Sequence, residues 1–164
     1  MPRAQATDLM QGHRFQVVTN NSFGMEPTEP QGGFQNCSIP TISIDPVEYK
    51  EGTDTYTKKY PGAPTVGDVT LNKGIAKRSS AFYDWMMRVV NGDEYRAEVT
   101  IFQFPRDGKT NGVWDRNKAR RIVCYEAFPT EMKPGGDLDA TSADVSVAEL
   151  TIACESIEQF LPSE

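Results

Sequence analysis

The 164-residue sequence predicts a mainly β protein of antiparallel strands with one α-helix. Three features point there. Segment after segment alternates apolar and polar residues with the two-residue period of a half-buried strand. One segment alone repeats apolar residues at helical spacing. Proline and glycine interrupt the chain at short intervals, as they do between hairpin strands.

The first strand is expected in "HRFQVVTN", where Phe15 and Val17 alternate with Arg14 and Gln16. The stretch "NSFGMEPTEPQGG" holds Gly24, Pro27, Pro30, Gly32 and Gly33, too many breakers for regular structure, and reads as a long exposed loop over about 22–33. "FQNCSIPTISIDPVEYKEG" resumes alternation through Ile39, Ile42, Ile44 and Val47, but Pro40 and Pro46 cannot donate to an interior ladder, so edge strands or bulges are expected. "EGTDTYTKKYPG" is polar and threonine-rich, without a buried-face pattern; it suits a hairpin or arm over about 48–62 that has no core of its own. "TVGDVTLNKG" then returns to the core, with Val69 and Leu71 on one face and Asp68, Thr70 and Asn72 on the other.

"SSAFYDWMMRVVNG" is the helix. Phe82, Trp85, Met86 and Val89 fall at i, i+3, i+4 and i+7 and form one apolar stripe. Ser79 or Ser80 can accept a bond from a first-turn amide, Asp84 and Arg88 are spaced to pair, and Asn91-Gly92 offers a left-handed stop. An aromatic and methionine stripe of this spacing reads as core rather than as a cofactor pocket.

The second half returns to strands. "EYRAEVTIFQF" alternates Tyr95, Ala97, Val99 and Ile101 with Arg96, Glu98 and Thr100, before a turn at Asp107-Gly108. In "RRIVCYEAFPT" Ile122, Cys124 and Phe128 oppose Val123, Tyr125 and Ala127, so both faces are partly apolar. The last, "ADVSVAELTIACES", sets Ala148, Leu150, Ile152 and Cys154 against Val147, Glu149 and Thr151.

Composition narrows function. This length favours one domain, residues 1–164, able to bury a core without staples. A net charge of -6 and a pI near 4.9 argue against a surface built to coat nucleic acid, though transient passage of an acidic polymer is compatible with them. No apolar run approaches the roughly 20 residues that span a bilayer, so a cytoplasmic product without membrane insertion is expected. Cys37, Cys124 and Cys154 form no CxxC pair and read as free, structural thiols. His13, the only histidine, reads as an exposed strand-end residue, and no Walker loop, GxGxxG, HExxH or GxSxG appears. Asp137 and Asp139 in "GGDLDA" resemble half of a calcium loop but lack its closing glutamate, and "DRNKARR", with Arg116, Lys118, Arg120 and Arg121, reads as a solvated basic turn. No catalytic residue, metal or cofactor is expected.

"VEYKEG", "KKYPG", "TVGDVTLNKGI", "SSAFYDWMMRVVNG" and "VSVAELTIACESIE" stand in an order and spacing similar to the tail-tube proteins of contractile phages and extracellular contractile injection systems, a resemblance running from Phe15 to Phe160. The resemblance implies an antiparallel β-sandwich or barrel with one flanking helix. It also implies a non-enzymatic structural subunit whose hexameric rings stack into a hollow inner tube within a contractile sheath. Its partners would be copies of itself, the sheath, baseplate hub and tube-initiator proteins, and a tape-measure protein or effector cargo in the lumen. It would be made and assembled in the bacterial cytoplasm as part of a phage tail or tail-like particle, without sequence-specific nucleic-acid binding. The polar arm corresponds to the loop that reaches the adjacent ring, which makes Tyr49, Glu51, Lys58, Lys59, Tyr60 and Asp68 the contact candidates. The Phe23–Gly33 loop is longer and more proline-rich than the short turn usual in that family, and "SIPTISIDP" carries prolines where its strand is more regular. Two rival readings remain: a tube-initiating or tube-terminating paralogue at the baseplate or cap, and a monomeric β-barrel ligand carrier.

Overall fold

The computed structural model describes residues 9–20, 34–75 and 80–162. Its strands are β1 (Phe15–Thr19), β2 (Phe34–Cys37), β3 (Ile42–Tyr49), β4 (Lys58–Val66) and β5 (Val69–Gly74), followed by helix α1 (Ala81–Asn91). After the helix come β6 (Ala97–Gln103), β7 (Lys109–Thr110), β8 (Val113–Trp114), β9 (Arg120–Lys133), β10 (Val147–Ala153) and β11 (Ser156–Phe160). The result is the antiparallel β fold with a single helix among the described residues that the alternation and the resemblance both imply. The loop expected over 22–33 and the candidate cap Ser79 lie outside the described residues.

Seven strands form one sheet in the order β1-β6-β9-β10-β5-β2, with β11 also on β9, and every pairing is antiparallel. β9 organises it. Its first half lies between β6 and β11, and its second half pairs with β10. β10 and β11 act as one ribbon along β9, because the Ala153↔Phe128 register resumes as Ser156↔Tyr125 beyond a break at Cys154-Glu155. Two bulges bend this ribbon pair. One places Tyr125 and Glu126 opposite Glu98, between the pairs Val99↔Cys124 and Ala97↔Ala127; the other shifts register between Thr151 and Ile152. Bulges raise local twist and turn a strand's direction, which folds the sheet over its own inner face.

That inner face is the core. Val17, Val69, Leu71, Val99, Cys124, Leu150 and Ile152 pack there with Trp85, all at most 1% exposed. The alternation of β1, β5, β6 and β10 read from the sequence matches the burial, with one correction in β9. The two-residue period set Ala127 opposite Cys124, yet both are buried in the same core, because the extra residue at the Glu126 bulge reverses the phase.

α1 closes one side, packed against β9. Ala81, Phe82 and Trp85 are buried, whereas Met86 and Val89 are half-buried, so the helix is seated by its first half and its expected stripe fades toward the C-terminus. Trp85 donates from Nε1 to the Tyr95 carbonyl at 2.7 Å, and Phe82 stacks on Phe34 of β2 at 6.0 Å. The helix stops as expected: Gly92 takes φ 77, and Asp93 N–H bonds back to the Arg88 carbonyl. Its start differs. The Ser80 hydroxyl donates to the Asp84 carboxylate at 2.9 Å and accepts from no first-turn amide.

A satellite cluster of Phe102, Phe104 and Ala119 with Val18 and Trp114 covers part of the sheet's other face, which accounts for the two partly apolar faces of this region. The β7–β8 hairpin supplies Trp114. Its turn, Asn111-Gly112 with φ 53 and 82, is the Asn-Gly signal that the strand pattern alone passes over.

Candidate assembly interface

β3 and β4 pair only with each other and leave the body as a two-stranded arm, rooted where Gly67 N–H bonds to the Thr41 carbonyl at 2.8 Å. Residues 48–62 lie within it, and its strands run further back, to Ile42 and Val66. Every residue of β3 is exposed. The correction here concerns the isoleucines: the alternation in "TISIDPVEY" belongs to a ribbon open on both faces, so Ile42, Ile44 and Val47 stand 51–56% exposed. An isolated hairpin is marginal in water.

Cross-strand partners share a face, so the register divides the arm into two apolar surfaces. Near the root, Ile42↔Val66 and Ile44↔Pro64 precede Pro46↔Pro61 on one face; toward the tip, Val47↔Tyr60 and Tyr49↔Lys58 lie on the other. The opposite side of each is polar: Ser43 and Thr65 hydroxyls meet at 2.8 Å near the root, and Lys59 pairs with Glu48 at 3.6 Å further out. Between the halves, Gly62 and Ala63 bulge opposite Asp45, and a Cβ on Gly62 would lie 2.3 Å from the Asp45 carbonyl oxygen. Only glycine fits there.

Five of the expected contact residues gather on the outer arm. Tyr49 and Tyr60 are 54% and 53% exposed, Glu51 opens the tip turn with its amide bonded to Asp54, Lys58 pairs with Asp54 at 3.5 Å, and Lys59 holds Glu48. Asp68 does not join them; it sits beyond the root, at the entry to β5. Tyr56, 84% exposed at the tip, and the root isoleucines on the arm's other face add exposed apolar area beyond the expected contact residues. For the isoleucines the signal was an alternating apolar run carrying two prolines; nothing local marked Tyr56.

Among the described residues the body adds unpaired edges. β1 and β2 end the strand order, and a cleft of about 350 Å³ lies between them, lined by Phe15, Ile101 and Gln103 on one side and Asn36, Cys37 and Ile39 on the other. Inside, among the described residues, the inner face of the sheet is packed with apolar side chains around Trp85.

Several other polar groups serve the fold. Arg96 donates to the Glu155 carboxylate at 2.6 Å and to the Glu126 carbonyl at 3.3 Å, and its guanidinium lies over Phe128 and Tyr95, so it clasps the bend in β9. Burial pushes the Cys37 and Cys124 thiols up to about 12 and raises Cys154 as well, which keeps them protonated and poorly nucleophilic at neutral pH. The Asp139 carboxyl is held below its usual range by the amide and hydroxyl of Thr141, an Asx turn. Among the described residues no three His, Cys, Asp or Glu side chains group as a metal site.

A β body with a projecting apolar ribbon and, among the described residues, open sheet edges has the surfaces of an assembling protein. The chain belongs to the T4-like virus tail tube protein gp19 family, which it matches over residues 11–158. No curated protein matches it. Among solved structures it is similar to a chain of the anti-feeding prophage tube terminating cap (TM-score 0.74, 23% identity, 94% of this chain and 92% of that one). It is equally similar to a chain of the sheath-tube complex of the extracellular contractile injection system PVC in its extended state (0.74, 22%, 96% and 95%). A third is a chain of the anti-feeding prophage baseplate (0.72, 19%, 94% and 97%). At these identities the likeness establishes the shared fold.

Proposed function

We propose that the protein is the inner-tube subunit of a contractile injection system or contractile phage tail, and that its hexameric rings stack into a hollow tube inside a sheath. The observation that carries this is the arm. In a chain of the tail-tube family, a ribbon with apolar residues exposed on both faces is stabilised only when other subunits cover it, and a stacked ring supplies them. Tyr49, Glu51, Lys58, Lys59 and Tyr60 then make the contact to the adjacent ring, and Asp68, at the entry to β5, lies nearer the body as a further contact candidate. The open edges of β1 and β2 suit pairing between subunits around the ring. The body, residues 1–164, acts as one tail-tube domain with the arm as its extension. Its partners are the sheath, the baseplate hub, a tube initiator, and a tape-measure protein or cargo in the lumen, with assembly in the bacterial cytoplasm.

A second reading is a tube-initiating or tube-terminating paralogue, favoured by the equal similarity to the cap structure and the sheath-tube complex. Self-association separates the two. Negative-stain microscopy and light scattering of the purified protein over a range of concentrations should show six-fold rings or tubes. A terminator would stop at single rings, and a strict monomer at high concentration with sheath present would overturn both.

A further inference from the structure

The connections at the two ends of β9 carry opposite charge. From Pro105 to Arg121, leading out of β6 into β9, six cations (Arg106, Lys109, Arg116, Lys118, Arg120 and Arg121) face two carboxylates, Asp107 and Asp115, a net +4. From Glu131 to Glu149, leading out of β9 into β10, five carboxylates (Glu131, Asp137, Asp139, Asp144 and Glu149) face one cation, Lys133, a net −4. All are exposed except the half-buried Asp115 and Arg120.

No ion pair joins the two groups among the described residues. They flank opposite ends of β9, 14 residues long, a contour of about 43 Å at roughly 3.3 Å per residue against a Debye length of about 8–10 Å. Local neutralisation is slight, a through-space pull of Lys118 on Asp115. None of the six cations has a carboxylate partner within 4.0 Å among the described residues. Asp115 spends its oxygens on Thr110 and the Asn117 amide. Aromatic faces hold three of the cations in place: Arg116 over Phe102 at 5.3 Å, Lys109 over Trp114 at 4.8 Å and Arg121 over Phe160 at 4.5 Å. On the acidic side, among the described residues, only Asp137 has an ion pair, with Lys133 at 3.4 Å.

We propose that these surfaces are complementary halves of a head-to-tail contact between copies of this chain: the basic β6–β9 connection of one copy seats against the acidic β9–β10 connection of the next. The proposal rests on the tube reading above and names a contact which that reading leaves open. A chain of net charge -6 repels its own copies, and the basic end is where this repulsion reverses, so the polarity selects which ends meet. The contact is heterologous, the kind that closes into rings or continues as stacks.

Charge reversal tests it on the full chain. Arg106→Glu with Lys118→Glu removes no contact described above, and Asp137→Lys with Asp144→Lys loses only one exposed ion pair and bonds within its own loop. Each pair should slow assembly, followed by light scattering, about tenfold or more at low salt. The four-fold variant, which restores opposite signs, should recover most of that loss, and wild-type assembly should weaken between about 50 and about 500 mM NaCl as screening shortens. A four-fold variant no better than its parents, all melting like wild type, would overturn the contact. Should a variant misfold, the salt titration decides, and assembly indifferent to salt overturns it. So would a basic-end variant that loses binding to a polyanion such as heparin while assembling normally. Wild-type tubes with unaffected variants would sink this contact and leave the tube reading standing; a wild type that never assembles sinks both.

Discussion

Glu126 has φ 53, left-handed backbone that glycine adopts freely and a branched side chain does not. Arg96 accepts the consequence, bonding the displaced Glu126 carbonyl and reaching Glu155 on the neighbouring ribbon. Glu126→Gly should therefore be neutral or mildly stabilising, whereas Glu126→Val should cost about 1–2 kcal/mol in chemical denaturation. Equal effects would place the bulge elsewhere. Gly62 is constrained by space: with 2.3 Å between its would-be Cβ and the Asp45 carbonyl, Gly62→Ala must break the arm's register. Its thermal melt should match wild type while assembly falls, as light scattering would show. The glycine was visible in the sequence; its necessity was not, because the close approach is made by a backbone atom 17 positions away.

The arm is the element where sequence and structure divide most clearly. The polar, core-less tip over 48–62 could be read directly, since no apolar period runs through it. The exposed root could not, because Ile42 and Ile44 alternate just as a half-buried strand does, and alternation says which residues share a face without saying what covers it. Removing Gly52 to Lys59 and joining the ends by a short Gly-Ser link should shift monomer stability by no more than about 0.5 kcal/mol, since these residues bury nothing in the body. Tubes should fail, because contacts repeated around a ring must all form together. Circular dichroism reports the fold and microscopy the assembly; long tubes from the shortened chain would rule out the bridging role. The helix was more legible: Phe82 and Trp85 follow from period alone, while the half-burial of Met86 and Val89 depends on where the barrel ends beneath it.

At the scale of the molecule, β9 passes through both halves of the folded sheet and one hydrophobic cluster joins them, so the body should unfold as a unit. Tryptophan fluorescence, reporting Trp85 in the core and Trp114 in the satellite cluster, should lose its signal at the same denaturant concentration as far-UV circular dichroism. Separate midpoints would mean that the two halves fold independently.

The sequence by itself determined the class of fold, the core faces of β1, β5, β6 and β10, the helix and its glycine stop, and the free thiols. These follow from period and local backbone chemistry, which act over a few residues. Tertiary structure decided the phase reversal at Ala127, the exposure of the arm's isoleucines, and the burial of the helix by its first half only. Each depends on which distant strand lies alongside, and no local period encodes that.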